Sequence, residues 1–361
     1  MASKVKIIFL GDISLNSDYD GLYKKGIKPF SEIKGILSEA DFVIGNLESY
    51  LGGDEGENAL KSPRLKSSVE SYSFLNDLNL GLVSTANNHV YDNLLSGYLN
   101  TVRFLDKNNI AYTGSGLTKE SVEKPFICVL NDIRFAFINA CSADTHPNIP
   151  DNAEVYINLL QTENILRQIK SVKETVDHVV LLFHWGGLSD YGKYPHVSQI
   201  RQSSEFITAG ADLIVGHHSH TVQAKGRYRQ KSVWYSLGNF CFSDIHFNGR
   251  VFPLRKSGKE SVMVEITFEK NKYWERIIPL VNKDLCIVPE QKLARKFSRR
   301  NYCFKFFKVL PPYRYLYFKW LKYIEPLQYA RYTSKKSFWG MIRSMDRKKL
   351  KSIFSFVKNL K

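Results

Sequence analysis

The sequence predicts an α/β fold with a largely parallel but mixed β-sheet, on three observations. Apolar runs of strand length alternate with segments of helical spacing from Val5 to Val215, which is the pattern of βαβ units. A hairpin signal at Asn131-Asp132 interrupts that alternation, so the sheet is not purely parallel. The chain of 361 residues, 43% of them hydrophobic, is long enough to bury a large core.

Taken in order, Val5 to Leu10 is a strand that ends in the Gly11-Asp12 turn. Ser31 to Ala40 has helical spacing, and Asp41 to Asn46 is the second strand. Val69 to Leu78 reads as a helix and Gly81 to Thr85 as a strand. Leu94 to Asn108 is a helix with Leu95, Leu99, Val102 and Leu105 on one face. Pro125 to Leu130 and Arg134 to Ile138 form the hairpin, followed by the polar loop Ser142 to Asn152. Leu159 to Val176 is a helix, His178 to Phe183 a buried strand, Val197 to Ala209 a helix and Asp212 to Val215 a short strand. Ser232 to Ser236, Ser261 to Phe268 and Arg276 to Leu280 complete the strand candidates. From Pro289 strand signals stop, so residues 1–288 are expected to form the catalytic or binding domain and 289–361 a helical extension.

Charge follows the same division. Residues 290–361 carry 20 Lys/Arg against 3 Asp/Glu, whereas the preceding 289 residues carry 31 against 32. The extension is therefore the part suited to an anionic partner. Five scattered cysteines with no CxxC pair favour a reducing compartment. The apolar run Ile7 to Leu10 is too short for a signal-peptide core or a membrane span, so a cytoplasmic location is expected.

Open α/β sheets bind ligands beyond the carboxyl ends of their strands. Five predicted strand ends carry metal-ligand chemistry: Asp12; Asn46 and Glu48; Asn87, Asn88 and His89; His184; and the run from Gly216 to His220. Any one of these residues alone is more simply a cap, a turn residue or a core imidazole. Together they match the needs of two divalent cations about 3.5–4 Å apart: a bridging carboxylate, further oxygen and imidazole ligands, and open positions for a hydroxide and a phosphoryl oxygen. Glu48 can bridge. A mixed O/N set without thiolate suits Mn, Fe, Zn or Co. Within His217-His218-Ser219-His220, either His218 and His220 are the ligands or His217 is one; an extended turn would point the first pair to one side.

Read as GDIS (Gly11 to Ser14), GNLE (Gly45 to Glu48), ANNH with VYD (Ala86 to Asp92), FHWG (Phe183 to Gly186), AGADLIVGHHSH (Ala209 to His220) and YSLGNF (Tyr235 to Phe240), residues 5–245 resemble the CapA or poly-γ-glutamate capsule-synthesis family of the calcineurin-like metallophosphatases. The resemblance implies two packed mixed β-sheets flanked by helices in a four-layer sandwich. It implies Asp12 and His220 at a first metal, Glu48 as the bridge, and Asn88, His184 and His218 at a second. His89 would be the catalytic general acid, positioned by Asp92, and Asn46, His217 and Asn239 are the candidate substrate contacts. The expected activity is phosphoester hydrolysis by metal-activated hydroxide on a phosphorylated or anionic polymer-related substrate, the alternative being a non-hydrolytic accessory of surface-polymer synthesis. Ser14 stands where many of the superfamily have a histidine, and Asp190-Tyr191 follow FHWG where the family often has a glutamate.

In the extension, apolar residues from Phe338 to Leu360 fall close to one helical stripe among Lys and Arg. Such a basic amphipathic helix suits an anionic membrane surface at the inner face, packing on protein, or nucleic acid.

Overall fold

The computed structural model describes residues 3–323, with side chains through Lys319, in two compact units that divide between Ser298 and Arg299. The first unit contains two large mixed sheets. One has eight strands, ordered Cys286–Pro289, Lys272–Lys283, Glu260–Glu269, Val5–Ile13, Phe42–Leu47, Leu80–Ser84 and Ala111–Thr113, with Asn239–Cys241 also paired to Val5–Ile13. The other has six, ordered Lys225–Tyr228, Lys231–Trp234, Leu213–His217, His178–His184, Ile133–Cys141 and Phe126–Leu130. In the six-stranded sheet the parallel pairs lie centrally between antiparallel edges, whereas in the eight-stranded sheet the antiparallel pairs occupy one side and the parallel pairs the other.

The apolar runs are continuous because their strands are covered on both faces. Ile7 and Phe9 point into the core between the sheets, where they join Ile44, Leu82, Phe135, Phe137, Val180 and Leu182. Ile8 and Leu10, offset by one residue, face Ile33, Leu37, Leu75 and Leu105 from the outer helical layer. Beyond the second sheet, Phe183 meets Phe206 of the helix Val197–Ala209 with ring centroids 5.5 Å apart. Each such side chain contributes about 1.5–3 kcal/mol on burial.

Asn131 and Asp132 both adopt positive φ, 45° and 63°, as a two-residue turn matched to strand twist requires. They close the antiparallel pair of Phe126–Leu130 and Ile133–Cys141. Three helical expectations need correction. The segment Val69 to Leu78 divides into a helix at Val69–Tyr72 and a 3₁₀ turn at Ser73–Asp77, and the helix expected over Leu159 to Val176 spans only Thr162–Val172. In Leu94–Lys107 the buried face is Gly97, Tyr98, Thr101 and Leu105, while Leu95, Leu99 and Val102 are only partly buried. Hydrogen bonding overrides the apolar stripe there: Thr101 Oγ1 accepts from the Leu51 backbone N–H at 2.9 Å, so a small polar face docks.

In the second unit, the ring of Phe307 lies 5.5–6.0 Å from those of Tyr313, Tyr317 and Phe318. These contacts join Lys292–Val309 to Pro311–Tyr323 across Leu310. The amphipathic stripe from Phe338 to Leu360 lies outside the described residues. Among the described residues, no helix is long and apolar enough to cross a membrane, and the cysteines are free thiols.

Candidate metal centre

Strand register assembles the site. Asp12 pairs with Asn46 on one side and Asn239 on the other, and His184 pairs with His217. The loops that follow these strands supply Glu48, His218 and His220, and the loop after Leu80–Ser84 supplies Asn88 and His89. Ligand-capable atoms of Glu48, His184 and His218 lie within 4.8 Å of one another, as do those of Asp12, Glu48 and His220. Glu48 belongs to both groups. Asn88 joins the former, its Oδ1 lying 2.8 Å from His184 Nε2.

Surrounding amides orient the ligands. Asn46 is fully buried, donates to Asp12 Oδ1 at 2.9 Å, lies 3.2 Å from His184 Nδ1, and accepts from Ser84 Oγ at 3.0 Å. Its amide thus links Asp12, His184 and Ser84. Asn239 Oδ1 lies 2.9 Å from His220 Nδ1 and its Nδ2 donates to the Gly258 carbonyl, an arrangement that turns His220 Nε2 toward Glu48. His217 Nδ1 is 3.3 Å from Asp12 Oδ1 but not aligned as a hydrogen bond. Asn87 holds the turn, donating to the Leu47 carbonyl and accepting from the His89 N–H.

The expected extended turn through the histidines is not present: His218 and His220 adopt φ of 89° and 53°. The Asp12 carboxylate accepts the His218 N–H at 3.3 Å, holding the first of these left-handed kinks. Left-handed conformations of non-glycine residues cost on the order of 1–3 kcal/mol each and persist only where neighbours enforce them. Their result is two imidazoles with ring centroids 5.9 Å apart, one in each ligand group.

Electrostatics test whether these residues fit a cation. Glu48 is fully buried, and neither carboxylate oxygen has a hydrogen-bond partner among the described residues. Burial, and next the neighbouring Asp12 carboxylate, hold its carboxyl well above the usual carboxylate range. Burial and then His218 hold His184 well below the ordinary imidazole range; burial and then His220 do the same to His218. Neutral imidazoles around a desolvated, unpartnered carboxylate are a donor set that divalent cations satisfy and that protein groups alone leave unsatisfied. The residues fit.

His89 lies at the edge of this set, with Nδ1 2.6 Å from Asp92 Oδ2 and Nε2 3.9 Å from Glu48 Oε1. Burial lowers its pKa against the opposing pull of Asp92. Three nearby groups escaped sequence reasoning as site residues. Half-buried Asp190 has its carboxyl pushed up to about 6 by burial, against the fields of His220 and Arg255. The guanidinium of Arg255 stacks 3.7 Å over Tyr191, whose ring lies 5.5 Å from His220. Lys61 is 5% exposed. Of the three, only Asp190 had a sequence signal, as an acid shortly after FHWG.

The family model described as "Bacterial capsule synthesis protein PGA_cap" matches residues 6–244. The capsule biosynthesis protein CapA of Bacillus anthracis is 27% identical over 59% of this chain and 53% of its own length. The PGA biosynthesis protein CapA of Bacillus subtilis is 28% identical over 65% and 62%. The chain thus spans little more than half the length of these curated relatives. A crystal structure described as a novel phosphatase of Mycoplasma pneumoniae superposes with a TM-score of 0.49 at 13% identity, covering 78% of this chain and 95% of that one.

Proposed function

The chain belongs to the PGA_cap family of bacterial capsule synthesis proteins, and on that premise we propose that its pocket is a divalent-metal phosphoester hydrolase centre acting in surface-polymer production. The observation that carries this reading is Glu48: a buried, unpartnered carboxylate shared by two groups of ligand-capable atoms. Glu48, Asn88, His184 and His218 would hold one cation, and Asp12, Glu48 and His220 the other. Bound divalent cations would supply Lewis acidity toward a phosphoryl oxygen and lower the pKa of an adjacent water.

The chain's own residues supply orientation and a proton. Asn46 fixes Asp12 and His184 relative to each other, and Asn239 fixes the His220 ring. Asp92 accepts from His89 Nδ1, which leaves Nε2 facing the pocket to protonate a leaving oxygen. Burial makes the His89 imidazolium a stronger acid and so a readier donor. The substrate is then a phosphorylated, anionic compound of polymer synthesis, and the basic extension has an anionic inner membrane surface as its partner.

Metal analysis and turnover of bis(p-nitrophenyl) phosphate test the reading. Purified protein retains divalent metal, and His89→Ala keeps that metal while lowering kcat by about 10²- to 10⁴-fold. Metal-free, inactive wild-type protein would overturn the centre, and undiminished turnover in the variant would overturn the role of His89.

One observation favours a second reading, a non-hydrolytic accessory. Ser14 donates to Asn16 Oδ1 at 2.8 Å and belongs to neither ligand group, leaving the Asp12 group with three members. A single bound ion without turnover would select that reading.

A further inference from the structure

Resting on the hydrolase reading, we propose that Lys61 binds the phosphoryl oxygens of the substrate at the wall of the metal pocket. Lys61 is the one lysine buried to this degree among the described residues, at 5% exposure. A buried ammonium is costly unless it meets an opposite charge. Its Nζ donates to the His146 carbonyl at 2.9 Å, and no carboxylate of the described residues lies within ion-pair distance. An ammonium has three donors, and among the described residues this one has a single protein acceptor.

The chain holds Lys61 beside the chemistry. The loop that carries it is tied to Asp92 at both ends: the Asn58 N–H donates to the Asp92 carbonyl at 2.9 Å, and the Leu65 N–H donates to Asp92 Oδ2 at 2.7 Å. The same carboxylate oxygen orients His89. Arg64 closes the loop internally by donating to the carbonyls of Asn58 and Lys61. Asn58 Nδ2 anchors it to the Asn148 carbonyl at 3.0 Å, beside the backbone that receives Lys61. Burial lowers the Lys61 pKa, against the opposing pull of Asp92, then Cys141 and Glu48. The two ties to Asp92 therefore hold the Lys61 loop against the residue that orients His89, at the edge of the metal-ligand groups. A phosphoryl group can accept a charge-assisted hydrogen bond there that a neutral substrate cannot.

The test uses the full chain with its metal content measured in every sample. Calorimetric titration with inorganic phosphate and, in a second arm, with glutarate compares wild type with Lys61→Met, and bis(p-nitrophenyl) phosphate gives KM and kcat. The variant is expected to keep its metal and its thermal midpoint, since an apolar side chain replaces an unpaired buried charge. It is expected to bind phosphate about 10- to 100-fold more weakly, and its KM rises more than its kcat falls. Lys61→Gln, which keeps a donor without the charge, carries the same comparison if Lys61→Met does not fold. Metal-loaded wild type that binds phosphate, with unchanged affinity in the variant, overturns the role of Lys61 alone. Binding of glutarate in place of phosphate overturns the phosphoryl assignment. Wild type without metal overturns the underlying reading instead.

Discussion

His178 is 1% exposed and lies between the rings of Phe135 and Phe268, with Nε2 2.6 Å from the Glu269 carbonyl and Nδ1 without a partner among the described residues. The carbonyl can only accept, so Nε2 carries the proton and the ring is a neutral core imidazole. Burial lowers its pKa from the ordinary value. In the unfolded chain the same ring takes up a proton near its ordinary value of about 6.5. As pH falls through that value the unfolded state binds the proton first, so the contribution of His178 to stability is present at neutral pH and is lost toward acid. His178→Gln keeps a donor for Glu269 without titrating. Its thermal midpoint is therefore expected to fall less than that of wild type between about pH 7.5 and 5.5; parallel midpoint curves would contradict this. The strand-start position of His178, away from any ligand motif, already distinguished it from His184. Lys61 had no such mark, because a lysine in a polar loop reads as solvated until tertiary closure buries it.

Gly11 illustrates what an element contributes beyond its residues. A Cβ on Gly11 would lie 2.0 Å from the Gly238 carbonyl oxygen and 3.1 Å from the Phe240 nitrogen. Both are backbone atoms of the chain that pairs with Val5–Ile13 beside Asp12. Gly11→Ala is thus expected to push this pairing apart, costing about 1–3 kcal/mol. Urea denaturation would measure that loss, and metal analysis the accompanying displacement of Asp12; an alanine variant as stable as wild type would show that the pairing is not tight. The central strands were readable because burial on both faces leaves an uninterrupted apolar run, and the hairpin because Asn131-Asp132 is turn chemistry. Asn239–Cys241 was not, since three residues beside a glycine turn carry no periodicity and pair only after distant strands have met. The same limit hid the docking face of Leu94–Lys107, where Gly97 and Thr101 serve backbone contacts that hydrophobic spacing does not report. Ligand candidates at strand ends were legible from chemistry and their division around Glu48 was implied by the family resemblance, but the left-handed kinks at His218 and His220 were not legible, because they depend on tertiary contacts such as that of Asp12 with the His218 N–H.

Across the whole molecule, charge and ligand chemistry are segregated in sequence. The metal-ligand candidates lie between Asp12 and His220, while residues 290–361 carry 20 Lys/Arg against 3 Asp/Glu. In the described part of that basic segment, Tyr302, Val309 and Tyr315 are 60%, 70% and 61% exposed, and Phe306 is also exposed. Exposed apolar side chains among cations match the interfacial zone of an anionic bilayer, where each basic residue near the surface adds about 1 kcal/mol. The 361-residue chain is therefore expected to float with vesicles containing phosphatidylserine and to remain behind with neutral phosphatidylcholine vesicles. Tyr302→Ala combined with Phe306→Ala should weaken flotation at constant charge, because only the apolar component is removed. Equal partitioning on both vesicle types would exclude an electrostatic membrane partner. Binding to polynucleotide with a steep salt dependence, without flotation, would instead assign the segment to nucleic acid, since counterion release then governs affinity.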